Sequence, residues 1–316
     1  MMKKINDIIG DAKTIGIAGH LRPDGDCMGS CMSLYNYLKK NRPDLDVRVF
    51  LEFVDKKFNI IENTDQIITT GYDGTKFDLF ISLDTASLDR LGLNLPFYEN
   101  AKRTACIDHH ASNDGYADYN YILPKASSAS EVLYDLLDED LIDKSIAEAL
   151  YMGIAHDSGV FRFQSTTPKT MRIAANMIEK GVNVNMILEE TFFRKTYNQM
   201  MVTAKIQSEA VLALDGKCIY GYCTSEMMEE YGVTTKDLDA VVASIRNVDG
   251  VEVAMFLYQL SEDSYKVSLR SKNYVDVSKI AVENGGGGHV RAAGAEIHGE
   301  LNDIINKLLN RIKQDI

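Results

Sequence analysis

Four short apolar runs, TIGIAG (14–19), DVRVFL (46–51), DLFISL (78–83) and TACI (104–107), recur through the first third of the chain and predict strands. Between the first two lies CMGSCMSLYNYLKK (27–40), whose pattern predicts a helix. Strand, helix, strand in that rhythm commits the chain to a parallel sheet covered by helices, because parallel neighbours need a crossover. In such sheets ligands gather at the carboxyl ends of the strands.

The later chain has a different texture. Residues 145–155 read as a helix in which Ile146, Leu150, Gly153 and Ile154 share a face, with Asp157 on its continuation. Residues 182–215 contain neither glycine nor proline and predict a long helix or a helix pair joining two lobes. KCIYGYC, VEVAMFLYQL and SYKVSLRS read as further strands, 234–244 and 276–284 as helices, and LNDIINKLLNRIKQ as a closing helix. At 316 residues the chain is long enough for two domains. The predicted fold class is α/β: an N-terminal parallel-sheet domain joined by a helical linker to a smaller α/β C-terminal domain.

The predicted strand ends carry unusual chemistry. His20, Asp24 and Asp26 follow the first strand, Asp84 the third, and Asp108, His109 and His110 the fourth, while Asp157 closes the helical run in HDSGVF. Taken singly each has a plain reading: Asp24 and Asp26 as turn residues, Asp84 as a helix cap, Asp157 as a loop residue, the two histidines as a core pair. Their coincidence at one sheet edge points instead to a divalent metal site. Mixed carboxylate and imidazole suits Mn²⁺, Fe²⁺ or Zn²⁺ better than Mg²⁺ or Ca²⁺. Six candidate ligands suggest two ions roughly 3.5–4 Å apart sharing a carboxylate, with Asp84 as the bridge. In an extended segment the adjacent His109 and His110 point to opposite faces, so one is expected to be a ligand and the other not. Two divalent ions balance Asp24, Asp26, Asp84 and Asp157, so a phosphate substrate needs further cations from outside the ligand set.

Composition narrows the partners. Formal net charge is −12, which gives no field for long nucleic acid. No run of 18 apolar residues exists, so no membrane span is expected, and the start MMKKINDIIGDAK lacks a signal-peptide apolar region. Five cysteines form no CxxC pair, which fits a reducing, cytoplasmic setting. The run Gly285–Gly288 allows close backbone approach and a nest of N–H donors for an anion. Gly287, Gly288, His289 and Arg291, with Arg270 in SLRSK, form the predicted substrate anchor. A dinucleotide fingerprint is rejected because the glycines follow the helical SKIAVEN and not a strand. Ser127, Ser128 and Glu131 read as a helix cap, Asn113 as a turn-shaping or substrate-contacting residue, and Arg103 and Arg162 as solvated.

HLRPDGDCMGS, SLDTAS, DHHASN and AHDSGVF, in this order, resemble the four motifs of the DHH phosphoesterase superfamily, named for Asp-His-His, here 108–110. GGGGHVRAAGA (285–295) is similar to the signature of the associated C-terminal domain. The resemblance covers nearly the whole chain and is strongest to the bacterial nanoRNase/pAp phosphatase group. It implies a DHH-type metal-binding catalytic domain over 1–185, a helical linker over 186–213 and a DHH-associated substrate-binding domain over 214–316. By motif position His20, Asp24 and Asp84 hold one Mn²⁺, and Asp26, Asp84, His109 and Asp157 the other. Asp84 and His110 are then the catalytic pair, with His110 facing the scissile phosphate. Ser158 stands where the motif often has threonine.

The implied substrates are short single-stranded RNAs of about two to five nucleotides, too short to need an extended cationic surface, and 3′-phosphoadenosine 5′-phosphate (pAp), attacked by a hydroxide bridging the ions. A homodimer is compatible with this reading. Three rivals remain: a cyclic or linear dinucleotide (c-di-AMP/pApA) phosphodiesterase, a manganese pyrophosphatase, and a non-catalytic nucleotide sensor.

Overall fold

The structure, a computed structural model, describes residues 4–238 and 241–316. It divides into two compact units, Met1–Arg194 and Lys195–Ile316.

The first unit is built on β1 (Thr14–Ala18), β2 (Asp46–Phe50), β3 (Leu79–Leu83), β4 (Thr104–Asp108) and β5 (Tyr119–Ile122). Their order is β2-β1-β3-β4-β5 and every neighbouring pair is parallel. The predicted parallel α/β sheet is therefore present, with one strand added at its edge. The sequence did not announce β5, because YNYI is half-exposed and lacks an apolar run. Central β3 is buried at every position, as a strand covered on both faces must be. Period two sends Ile15, Ile17, Leu79 and Ile81 to one face, under the helices. Phe50, Phe80 and Ala18 go to the other, where Phe77 and Phe97 complete an aromatic layer.

Two helices set the geometry of the strand-end edge. Gly25–Asn41 starts at Asp24, whose side chain accepts from the N–H groups of Asp26 and Cys27. Lys39 and Lys40 sit in its last turn, favourable for the helix dipole. Lys144–Asp157 packs against it through facing glycines: a Cβ on Gly29 would lie 2.6 Å from the Ala149 carbonyl oxygen and 2.8 Å from Gly153 Cα. Without side chains at that crossing the helices approach closely. Asp26 at the start of one and Asp157 at the end of the other are brought to the same edge.

The glycine- and proline-free stretch is a helix pair and not one helix. Val184–Leu188 runs into a π-helical turn, Glu189–Phe193, and a new helix, Tyr197–Glu209, begins after the Thr196 cap.

The second unit holds a six-stranded mixed sheet, ordered β10-β11-β9-β8-β7-β6. Its strands are β6 (Val211–Ala213), β7 (Cys218–Cys223), β8 (Val253–Ser261), β9 (Ser264–Ser271), β10 (Gly287–His289) and β11 (Ala292–His298). β7 and β8 are parallel and the other pairs antiparallel. Leu301–Ile312 closes the unit and buries Ile304, Ile305, Leu308 and Ile312. Of the helix predicted over 234–244, residues 239 and 240 lie outside the described residues. A 3-10 turn, Thr235–Asp237, and a short helix, Val241–Ile245, flank them. The helix predicted over 276–284 is present as Val277–Val282.

Candidate metal centre

The carboxyl ends of β1, β3 and β4 and the end of the Lys144–Asp157 helix deliver their acids and histidines to one place. His20 Nε2 lies 3.4 Å from Asp84 Oδ2 and 3.7 Å from Asp24 Oδ1. His109 Nε2 lies 3.2 Å from Asp157 Oδ2, 3.5 Å from Asp84 Oδ1 and 4.0 Å from Asp26 Oδ2. Asp84 thus turns one oxygen to His20 and the other to His109. Three donor groups each have all ligand atoms within 4.8 Å: His20, Cys27 and Asp84; Asp84, His109 and His110; Asp26, His109 and Asp157. Five of the six predicted ligands fall in these groups. Asp24 is exposed and lends Oδ1 to the helix cap, at 3.0 Å from the Asp26 nitrogen and 3.1 Å from that of Cys27.

The supports are fixed by hydrogen bonds. His20 Nδ1 is 2.7 Å from the Leu21 carbonyl oxygen, an acceptor, so Nδ1 carries a proton and Nε2 is turned to Asp84 and Asp24. Asp26 accepts from the N–H of Ala129 at 2.6 Å and of Ser130 at 3.0 Å, at the start of the Ala129–Leu136 helix. Asp84 has φ +53°, a left-handed conformation worth about 1–3 kcal/mol of strain in a non-glycine residue. Its N–H is held by the Ile107 carbonyl oxygen of β4 at 3.1 Å. After Asp157 three successive residues, Gly159, Val160 and Phe161, have positive φ. Buried Ser158 stabilises that turn by accepting from the Phe161 N–H at 3.0 Å.

The two histidines do not point to opposite faces. Their rings are 4.8 Å apart and both reach Asp84, with His110 Nδ1 3.7 Å from Oδ1. β4 ends at Asp108, so the alternation of an extended strand does not govern residues 109 and 110. They differ in their support: His110 Nδ1 donates to Asp108 Oδ1 at 2.8 Å. Asp108 is fully buried and accepts again from Asn113 Nδ2 at 2.7 Å, while Asn113 Oδ1 accepts from the Gly115 N–H. Asn113 shapes the turn. The orienting role of Asp108 was not visible in the sequence, where it is one more acid among the others.

The electrostatics show excess negative charge. Burial and the neighbouring Asp84 charge push the Asp26 carboxyl up to about 7. Burial, with Asp26 and Asp84 nearby and His109 opposing, pushes Asp157 well above the carboxylate range. Burial opposes ionisation of Asp84 too, yet His109 and His20 hold it well below that range. Burial would lower His109, but hydrogen bonding to Asp84 and the charges of Asp157 and Asp26 raise it to about 10. Such a cluster binds cations, whether protons or metal ions. The donor set fits two divalent ions, because carboxylates and imidazoles converge in groups of which two share Asp84 and two share His109.

The other predicted residues are placed as follows. Ser128 caps its helix by accepting from the Glu131 N–H at 3.0 Å, and buried Glu131 accepts from Ser127 and Thr170 hydroxyls, both at 2.7 Å. Arg103 donates to the Ile9 carbonyl oxygen and to Asp11, and Arg162 is exposed. In the second unit the glycine run is an edge strand: Gly287, Gly288 and His289 pair with Gly294, Ala293 and Ala292. A Cβ on Gly288 would lie 2.5 Å from the Ala292 carbonyl oxygen, so that glycine serves strand pairing. Gly287 faces open space. Half-buried Arg270 lies opposite Ala292 on β9. The guanidinium of Arg291 donates to the carbonyl oxygens of Val275, at 2.8 Å, and Asn273. No helix among the described residues is long and apolar enough to cross a membrane.

Comparison with known proteins agrees with this architecture. Residues 14–154 match the DHH family N-terminal domain and residues 215–315 the DHHA1 domain. The chain is 31% identical over 313 residues to the bifunctional oligoribonuclease and PAP phosphatase NrnA of Thermus thermophilus, covering 96% of this chain and 90% of that protein. It is 30% identical over 307 residues to a probable NrnA of Streptococcus mutans, covering 95% of each. An exopolyphosphatase-related protein from Bacteroides fragilis has the same fold, with a TM-score of 0.89 at 23% identity over 98% of this chain and 95% of that one. The chain belongs to the DHH family of metal-dependent phosphoesterases, with a DHHA1 domain in its second unit, and is a hydrolase of phosphate esters.

Proposed function

We propose that this protein hydrolyses short oligoribonucleotides to mononucleotides and converts pAp to AMP with two Mn²⁺ ions. Asp84 is the observation that carries this reading: one carboxylate turned to two donor groups. Two relatives of nearly equal length bear the corresponding name. His20, Asp24 and Asp84 would hold one ion, and Asp26, Asp84, His109 and Asp157 the other. Bound there, the ions supply Lewis acidity to a phosphoryl oxygen and lower the pKa of water to about 7.

The chain's own residues do the rest. Asp108 holds the Nδ1 proton of His110 and so fixes the ring with Nε2 facing the scissile phosphate. In the second unit Arg270, His289, Gly287 and Gly288 bind the terminal nucleotide. Arg291 positions this group through the 273–275 backbone that it holds. Net charge of −12 favours short substrates over long polymers.

Purified protein with Mn²⁺ is tested against RNAs of increasing length, pAp, cyclic and linear dinucleotides and pyrophosphate. Fastest turnover is expected on the shortest RNAs and pAp. Faster turnover of c-di-AMP, pApA or pyrophosphate would reassign the substrate. Binding without turnover would make the protein a sensor.

A further inference from the structure

Cys27 stands beside His20 and Asp84 in the strand-end cluster but is not among the six predicted ligands. Cys27 occupies the first turn of the Gly25–Asn41 helix, and its side chain is fully buried. Its N–H is fixed by Asp24 Oδ1 at 3.1 Å. Its Sγ lies with a ring nitrogen of His20 and a carboxylate oxygen of Asp84 in a group no wider than 4.8 Å. A second observation concerns the strand end itself. A Cβ on Gly19 would collide with Cys27 Sγ, so the residue before His20 leaves the sulfur its place. The neighbouring Cys31 is four residues on, and its Sγ stands 3.2 Å from that same Cβ position.

We propose that Cys27 Sγ is a further ligand of the ion held by His20, Asp24 and Asp84. The inference rests on the two-metal reading and makes the two positions chemically unlike. One has a sulfur donor beside nitrogen and oxygen. The other, of Asp26, Asp84, His109 and Asp157, has nitrogen and oxygen alone. On coordination the S–H bond breaks, the sulfur electron pair goes to the metal and the proton leaves to solvent. A thiolate favours softer ions, so the first position prefers Zn²⁺, Co²⁺ or Cd²⁺ over Mn²⁺ more strongly than the second. Cys27 is thereby a residue that sets metal selectivity.

The test is titration of the full-length protein with Co²⁺, followed by calorimetry and near-ultraviolet absorption. A sulfur-to-cobalt charge-transfer band is expected, retained in Cys31→Ala and lost in Cys27→Ala while Co²⁺ still binds. In the same variant the preference for Cd²⁺ over Mn²⁺ should fall by about tenfold or more, because the soft donor is gone. If Cys27→Ala does not fold, a variant with Cys31, Cys106, Cys218 and Cys223 all replaced by alanine must keep the band. Two bound Co²⁺ without the band, or a band that survives Cys27→Ala, overturns the Cys27 assignment and leaves the two-metal reading intact. No binding of Co²⁺ or Mn²⁺ to the wild type overturns both.

Discussion

Buried carboxylates occur in both units of this protein, and they are satisfied in opposite ways. Glu252 in the second unit is 3% exposed and accepts from the backbone N–H groups of Asn273, Tyr274 and Val275 and from Asn273 Nδ2. Burial alone would raise its carboxyl, but those donors hold it below its ordinary range. Asp84 is equally buried, yet its neighbours are histidines and four more acids, Asp24, Asp26, Asp108 and Asp157. Burial of an acid therefore does not mark a site. The balance between carboxylates and fixed donors does: Glu252 is neutralised by the backbone and holds a loop, whereas the strand-end cluster has charge left for cations.

Substitutions at the two places should consequently separate activity from stability. The largest effect is expected for Asp84→Ala, with hydrolysis falling at least ~10³-fold. The variant should still fold without added metal, its thermal midpoint lowered only by the loss of the ion pairs that Asp84 makes with His20 and His109. Steady-state kinetics and differential scanning fluorimetry check this; retained turnover would remove Asp84 from its shared role. Glu252→Ala should do the reverse. Stranded buried donors cost about 1–3 kcal/mol each, so with four of them left without an acceptor, urea denaturation of the second unit should show a loss of at least ~4 kcal/mol. Mn²⁺ binding by the first unit should be unchanged.

Because its folded-state carboxyl is lowered, the stability that Glu252 contributes is fully present above the ordinary glutamate pKa of about 4.3. It is lost as pH falls through the folded value. The gap between wild type and Glu252→Gln should therefore narrow only in acid; a gap that widened there would contradict the pairing.

Smaller effects sharpen the contrast. Asp108→Asn should lower kcat by about 10–100-fold with metal affinity nearly kept, as expected for a carboxylate that orients an imidazole. Loss of Mn²⁺ binding would make Asp108 a ligand instead. Ser158→Ala should cost about 1 kcal/mol, the worth of one hydrogen bond in the strained turn after Asp157, read by urea titration.

The fold and the cluster differ in how far the sequence reveals them. Seven strands are legible as apolar runs, β1 to β4 and β7 to β9, and the abrupt stops of β1, β3 and β4 at polar residues display His20, Asp84 and Asp108. β5 and β11 were not, since YNYI and AAGAEIH have no sustained apolar alternation. The glycine run predicts a nest of N–H donors, and its last two glycines lie in an edge strand that the sequence does not show, because glycine gives no side-chain pattern to read. Arg291 reads as a cationic anchor in the sequence; the structure puts its guanidinium on the Val275 and Asn273 carbonyl oxygens. Cys27 was masked by lying in a buried helix, where a small apolar residue is expected.

Anomalous diffraction from crystals soaked in Mn²⁺ tests the shared role of Asp84 most directly. Two peaks are expected, one on either side of its carboxylate, the first within ligand distance of His20 and the second of His109 and Asp157. A map with no peak there, or with a single ion that leaves Asp84 unbound, would contradict the two-metal centre.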